Sequence, residues 1–136
     1  MLFRSLDQRR DAAAHFALGQ RLRPLRDEGV LILGSGNVAH NLARMDRDRP
    51  EGGFSWAERF CRRARRQLLY QDQGGLCRLD DDDARLAVPT PEHYLPLLYV
   101  VAAQDAGEYL TVLNDRIEYG SIGMLSVWVG HMKPAP

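Results

Sequence analysis

Gly29-Val30-Leu31-Ile32-Leu33-Gly34-Ser35-Gly36-Asn37-Val38-Ala39-His40-Asn41 is the stretch on which the reading of this chain turns. Its first part, Val30 to Leu33, is a β-branched and aliphatic run closed by glycine at either end. An unbroken run of this kind suits a strand buried on both faces of a parallel or mixed sheet. Upstream, Ala14, Leu18, Leu22 and Leu25 recur at intervals of three and four between Asp11 and Glu28. That spacing predicts an amphipathic helix, ended by Gly29 and weakened in its last turn by Pro24. A helix feeding a buried strand predicts an α/β layer architecture. The second part, Gly34 to Asn41, is then a glycine turn at the carboxyl end of the strand, where open α/β sheets bind their ligands.

Downstream, Arg44 to Gly53 (RMDRDRPEGG) is charged and rich in helix breakers, which predicts a surface loop. Ser55 is a candidate N-cap with Glu58 three positions on. The stripe Ala57, Phe60, Cys61, Ala64, Leu68 marks the inward face of a helix running to about Gln71, with Arg59, Arg62, Arg63 and Arg66 outward. Gln73-Gly74-Gly75 reads as a turn, and the acidic run Asp80 to Asp83 as a solvated cap for a short helix through Leu86. Pro89-Thr90-Pro91 leads into an apolar helix from Glu92 to Gln104, followed by Gly107. Strands are predicted at Tyr109–Leu113, Arg116–Glu118 and Met124–Val129, and Pro134-Ala135-Pro136 reads as a frayed tail. No repeat or linker divides residues 1–136, so one domain is expected.

Composition bounds the function. With 136 residues, 45% hydrophobic and 26% charged, the chain falls in the globular range and can build a core without disulfide or metal staples. Eighteen Lys and Arg balance eighteen Asp and Glu, which removes any global charge argument for nucleic acid or an anionic membrane. The Arg-rich helix has no interleaved aromatics for base stacking, so a solvated face is the better account of it. Cys61 and Cys77 lack CxxC spacing and read as reduced thiols. The amino terminus lacks a signal-peptide stretch, and the apolar run Leu95–Ala103 is too short to span a bilayer, so a cytoplasmic location is expected.

Two places carry chemistry. Gly34-x-Gly36-x-x-Ala39 fits the dinucleotide fingerprint, in which glycines admit a pyrophosphate at a helix amino terminus. The chain beyond it lacks the helix and second acidic strand that such a unit needs. In the same turn, His40 has the near-neutral pKa of a general base or a metal ligand, with loop hydrogen bonding as the plainer alternative. The second place is Thr90-Pro91-Glu92-His93-Tyr94-Leu95-Pro96. There Thr90 and Pro91 suit a helix start, Pro96 distorts the next turn, and Glu92 and His93 are presented together.

Taken together, LRDEGVLILGSGNVAHNL, PTPEHYLPLLYVVAAQDAGE and IEYGSIGMLSVWVG resemble, in this order, the carboxyl-terminal half of the class III extradiol ring-cleaving dioxygenases. The likeness is greatest to the 4,5-DOPA dioxygenase-like branch and runs from about Ser5 to Gly130. It implies a three-layer α/β/α sandwich with a mixed sheet, a catecholic small-molecule substrate, and a non-haem metal, Fe(II) for activity with Zn(II) often in its place. By that resemblance His40 is the acid/base residue beside the metal and in some members a ligand. His93 is a metal-site residue, and Asn37 and Glu92 are substrate-side candidates. The family's GHGSP-like and SAHW-like ligand motifs do not occur here. The resemblance therefore covers two of the imidazoles and leaves further donors to a longer parent, another subunit or nothing at all. A half-built sheet exposes an edge, so a homo-oligomer or a complementing chain is expected as partner, and a non-catalytic oligomeric module is the alternative function.

Overall fold

Pro24 splits the first predicted helix in two. In the computed structural model, which describes residues 6, 7 and 9–131, α1 spans Ala12–Leu22 and α2 spans Pro24–Asp27. The proline, lacking an N–H, sits at the first position of the second piece, where none is required. The Asp11 side chain accepts a hydrogen bond from the Ala14 amide at 2.8 Å and starts α1. Gly29 follows α2 with φ +81°, the left-handed conformation that glycine adopts without strain. The buried face of α1 is His15, Phe16 and Gly19, one position round from the predicted Ala14–Leu18–Leu22 stripe, whose members are half-buried. Gly19 explains the offset. A Cβ there would lie 2.8 Å from Ala102 Cβ and 2.9 Å from Tyr99 Cα, so its absence lets α1 close onto the helix that carries those residues.

That helix, α6 (Leu95–Ala102), and α3 (Ser55–Leu69) form the centre of the core. The buried residues of α3 are Ala57, Phe60, Cys61, Ala64 and Leu68, the predicted stripe. Its N-cap is Phe54 rather than Ser55, without a side-chain bond. The Gln73-Gly74-Gly75 segment, expected as a turn, is a short helix, α4 (Gln73–Leu76), because Asp72 accepts from the Gly75 amide and caps it. The acidic run forms the cap and first turn of α5 (Asp82–Ala87), and it is not merely solvated. Asp83 and Asp81 pair with Arg59 and Arg63 of α3 at 2.6 and 2.7 Å, and Arg65 pairs with Asp115 at 2.8 Å. These arginines spend their charge on the fold.

The strands are β1 (Tyr109–Val112), β2 (Ile117–Glu118), β3 (Ile122–Gly123) and β4 (Val127–Gly130). They pair antiparallel as β1 with β4, Tyr109 opposite Gly130, and β2 with β3, Ile117 opposite Gly123. The described residues thus supply helices and the antiparallel part of an α/β fold. The run Val30–Leu33, expected as a strand buried on both faces, joins no ladder. It continues to Asn37 without turn or bend, and Leu31 and Leu33 are 75% and 84% exposed. A strand is buried only when neighbours flank it and cover both its faces, and among the described residues none flanks this one. The predicted tail at Pro134–Pro136 and the start of the family-like region at Ser5 lie outside the described residues. Among those residues no helix is long and apolar enough to cross a membrane.

Candidate functional site

Residues 34–36, expected as part of a glycine turn but extended in the structure, and the Thr90–Pro96 segment, distant in sequence, are packed backbone to backbone. A Cβ on Gly34 would come within 2.5 Å of the Pro96 carbonyl oxygen, and one on Gly36 would press closer still on that of His93. The Asn37 amide donates to the same His93 carbonyl at 2.9 Å. The glycines of the fingerprint therefore serve contact between two chain segments. They lead into a three-residue 3-10 turn, Leu42–Arg44, which offers no helix amino terminus to a pyrophosphate.

Residues 37–41 are tied down on their other side as well. The His40 amide donates to Ala87 O at 2.8 Å, the Gly123 amide to Ala39 O at 2.8 Å, and the Ser121 hydroxyl to Asn41 O at 2.8 Å. The Asn41 side chain donates to Leu86 O at 2.7 Å, and that of Asn37 to Gly123 O at 3.3 Å. Across from them, Pro91–His93 forms a single 3-10 turn, and α6 begins only at Leu95. The continuous helix predicted from Glu92 is broken at Tyr94, and Pro96 occupies the first turn of α6, where its missing N–H does no harm. The Tyr94 hydroxyl, buried, donates to Leu76 O at 2.9 Å and fixes the break against α4.

The outcome is that the two imidazoles meet. The rings of His40 and His93 stack with centroids 3.7 Å apart and planes inclined by 22°. Burial, then the neighbouring His93, lowers the pKa of His40 below its ordinary value, with Glu92 acting in the opposite sense. A neutral His40 is thereby favoured, the form that accepts a proton. Glu92 turns one carboxylate oxygen to the Thr90 hydroxyl at 2.7 Å. That bond is the first of the causes holding it below the usual carboxylate range, and the two imidazoles contribute further. Its other oxygen, Oε2, is buried without a hydrogen-bond partner among the described residues. Thr90 has the sequence position of a helix cap, and its hydroxyl is spent on Glu92 instead.

Of the residues singled out from sequence, His40, His93 and Glu92 come together, and Asn37 stands beside them with its amide engaged in structure. As a metal centre the donor set is incomplete. Among the described residues no three His, Cys, Asp or Glu side chains converge closely enough to hold an ion, and zinc or non-haem iron takes at least three protein donors. Two imidazoles do not fit the whole group. Cys61 adds nothing, since burial pushes its thiol up to about 12 and keeps it protonated. Sequence reasoning missed a groove that opens from this site. It lies between residues 31–38 and β4, encloses about 320 Å³, and reaches His93 at one end. The signal for it, an apolar run with no neighbouring strand in the sequence, reads as burial when the sequence is all there is.

Residues 6–129 match the family model described as the catalytic LigB subunit of aromatic ring-opening dioxygenase. The chain is 42% identical over 130 residues to a 4,5-DOPA dioxygenase extradiol of Escherichia coli (strain K12), an alignment covering 93% of this chain and 48% of that protein. It is 32% identical over 122 residues to a protein of the same name from Portulaca grandiflora, covering 85% and 44% respectively. A crystal structure of an uncharacterised Escherichia coli K12 protein, 42% identical, superposes with a TM-score of 0.84 over 90% of this chain and 52% of that one. The chain thus spans about half the length of the relatives it matches.

Proposed function

The chain belongs to the family of the catalytic LigB subunit of aromatic ring-opening dioxygenases, and from that premise we propose that His40 and His93 are the acid–base and metal-side half of an extradiol site that opens a catechol ring such as that of DOPA. The observation that carries this reading is the stacking of the two imidazoles at 3.7 Å. A catechol to be cleaved by dioxygen first gives up phenolic protons. A neutral imidazole at that point takes one and returns it to the ring-opened product. Burial favours the required form of His40. Asn37, which lines the groove, and Glu92, whose Oε2 has no hydrogen-bond partner among the described residues, are the substrate-side candidates. A metal centre, Fe(II) or Zn(II), needs at least one donor beyond His40 and His93. Its bound ion would supply the Lewis acidity that makes such protons easy to remove.

Metal analysis of the purified chain beside His40→Ala and His93→Ala tests the reading. We expect weak uptake of Fe(II) or Zn(II) that both substitutions abolish, and little yellow semialdehyde from L-DOPA with Fe(II) and ascorbate. Metal content unchanged in both variants overturns the shared site. Rapid ring opening by the chain alone overturns the incomplete donor set. A second reading, a non-catalytic oligomeric module, has in its favour the exposure of Leu31 and Leu33. Light scattering that finds a clean monomer at high concentration counts against it.

A further inference from the structure

Away from the imidazole pair, four of the six glutamines of the chain come to one cavity. Gln20 enters from α1, Gln71 and Gln73 from the end of α3 and from α4, and Gln104 from the segment after α6. The cavity encloses about 200 Å³. The buried Phe16, Leu68 and Val101 form its apolar floor, while the glutamines, exposed or half-buried, form its rim. It lies at the carboxyl end of α6, whereas His93 stands before the amino end, and the eight residues of that helix separate the two by about 12 Å. No residue lines both this cavity and the groove beside His93.

The rim is not spent on the fold. Among the described residues the side chains of Gln20, Gln71 and Gln73 make no hydrogen bond, and Gln104, whose amide nitrogen donates to Glu108 O at 3.0 Å, keeps its carbonyl oxygen. Gln71 also holds a left-handed backbone, φ +54°, one residue past the C-cap of α3, where glycine is the usual occupant. A side chain is kept there against strain, and it is one that lines the cavity.

Among the described residues no Lys, Arg or His lines the cavity, and its one acid, Asp105, is bonded through Oδ1 to Arg23. A phosphate or carboxylate therefore finds no free cation there. A carboxamide offers a donor and an acceptor side by side, so it pairs twice with a ring edge that carries an N–H beside a C=O. The floor selects further. A polyol has hydroxyls on all sides and would leave those over Phe16 and Leu68 unpaired, which is costly. A flat heterocycle lays its face on that floor and turns its edge to the amides. The volume falls below that of sites for drug-sized ligands, so it admits a single ring. We propose that this cavity binds a free pyrimidine-type base, an uncharged ring with a lactam edge. The proposal is independent of the reading given under Proposed function.

Uracil is the probe, titrated into the isotope-labelled 136-residue chain, and the side-chain amide resonances of the glutamines are the readout. Saturable shifts at Gln20 and Gln73 are expected, with a Kd on the order of 1 mM for so small a ligand. Gln20→Ala and Gln73→Ala should each weaken binding about fivefold, the loss of one hydrogen bond. Both side chains are exposed, so these variants keep their fold, which circular dichroism checks. Arg21→Ala, next to Gln20 in α1 but outside the lining, should bind as the wild type does. Absence of a saturable shift at millimolar uracil overturns the proposal, as does equal binding by the wild type and both glutamine variants. Shifts that appear at His93 and not at the glutamines put the base in the other groove and overturn it as well. D-Glucose giving the same shifts at the same concentration would make the ligand a polyol. Uridine monophosphate binding about tenfold or more tighter than uracil would make it an anion. Either result refutes the base.

Discussion

Asn37 to Asn41 is bonded to the Pro91–His93 turn, to the end of α5 and to residues 121–123, while the seven residues before it, 30–36, run past the same turn with only Val30 bonded, back to Leu25. The two regions are consecutive in the chain, and by sequence the first opens as a buried strand and passes at Gly34 into the turn that the second completes. Their difference teaches where the order of this site comes from. His40 meets His93 because 37–41 is clamped from two sides by short contacts within the described residues. The strand before it contributes position but not pairing. A site can therefore be half rigid and still incomplete, since the clamp fixes two imidazoles and leaves the groove next to them open.

The sharpest way to break the clamp is Gly36→Ala. Its Cβ would drive into the backbone carbonyl of His93, an atom that cannot swing aside as a side chain would. Overpacking of this sort costs about 3 kcal/mol, and relief comes only by separating the two segments that bring the imidazoles together. The expected outcome is a lower denaturant midpoint and loss of whatever metal the wild type takes up. Gly29→Ala is the matching control. It meets no atom within 4 Å and suffers only from its φ of +81°, so about 1 kcal/mol is expected and metal uptake persists.

Tyr94→Phe comes next. The hydroxyl that fixes the break between the 3-10 turn and α6 is buried, and deleting it leaves Leu76 O without that donor. A loss of about 1–2 kcal/mol is expected. Because Tyr94 adjoins His93 in sequence, the same variant also reads out the clamp, as a shift in the His93 ring resonances. A fall in stability with unmoved resonances would mean that the break is held by Pro96 alone.

Much of this was legible in the sequence, and for a local reason. The inward stripe of α3 follows from helical period, and a cap for α5 somewhere in the run Asp80–Asp83 from its residue type, the structure picking out Asp81. The convergence of His40 and His93 was legible only through resemblance, since no spacing rule joins positions 40 and 93. What misleads is the assumption that each apolar run is buried by its surroundings. Val30 to Leu33 has the composition of a buried strand, but burial depends on neighbours that composition does not reveal, and none flanks it among the described residues. The same limit hides the pairing of the acidic run with the arginines of α3, a contact between elements that each look merely solvated.

The smallest effect belongs to the open region and is the most informative. Leu33→Ser in the isolated chain removes a side chain that is 84% exposed, so almost no apolar area returns to water on unfolding that was not there already. Its stability should stay within about 0.5 kcal/mol of wild type, the range of an ordinary surface substitution. Leu98→Ser, at a wholly buried position of α6, measures the opposite limit and should cost several times more. Denaturant unfolding of the two variants at low and high protein concentration completes the contrast. A loss of about 2 kcal/mol or more at Leu33 that grows with concentration would show the leucine covered by a second copy in solution. The open half of the comparison would then be an interface already filled, and 30–36 would owe its order to association and not to the clamp beside it.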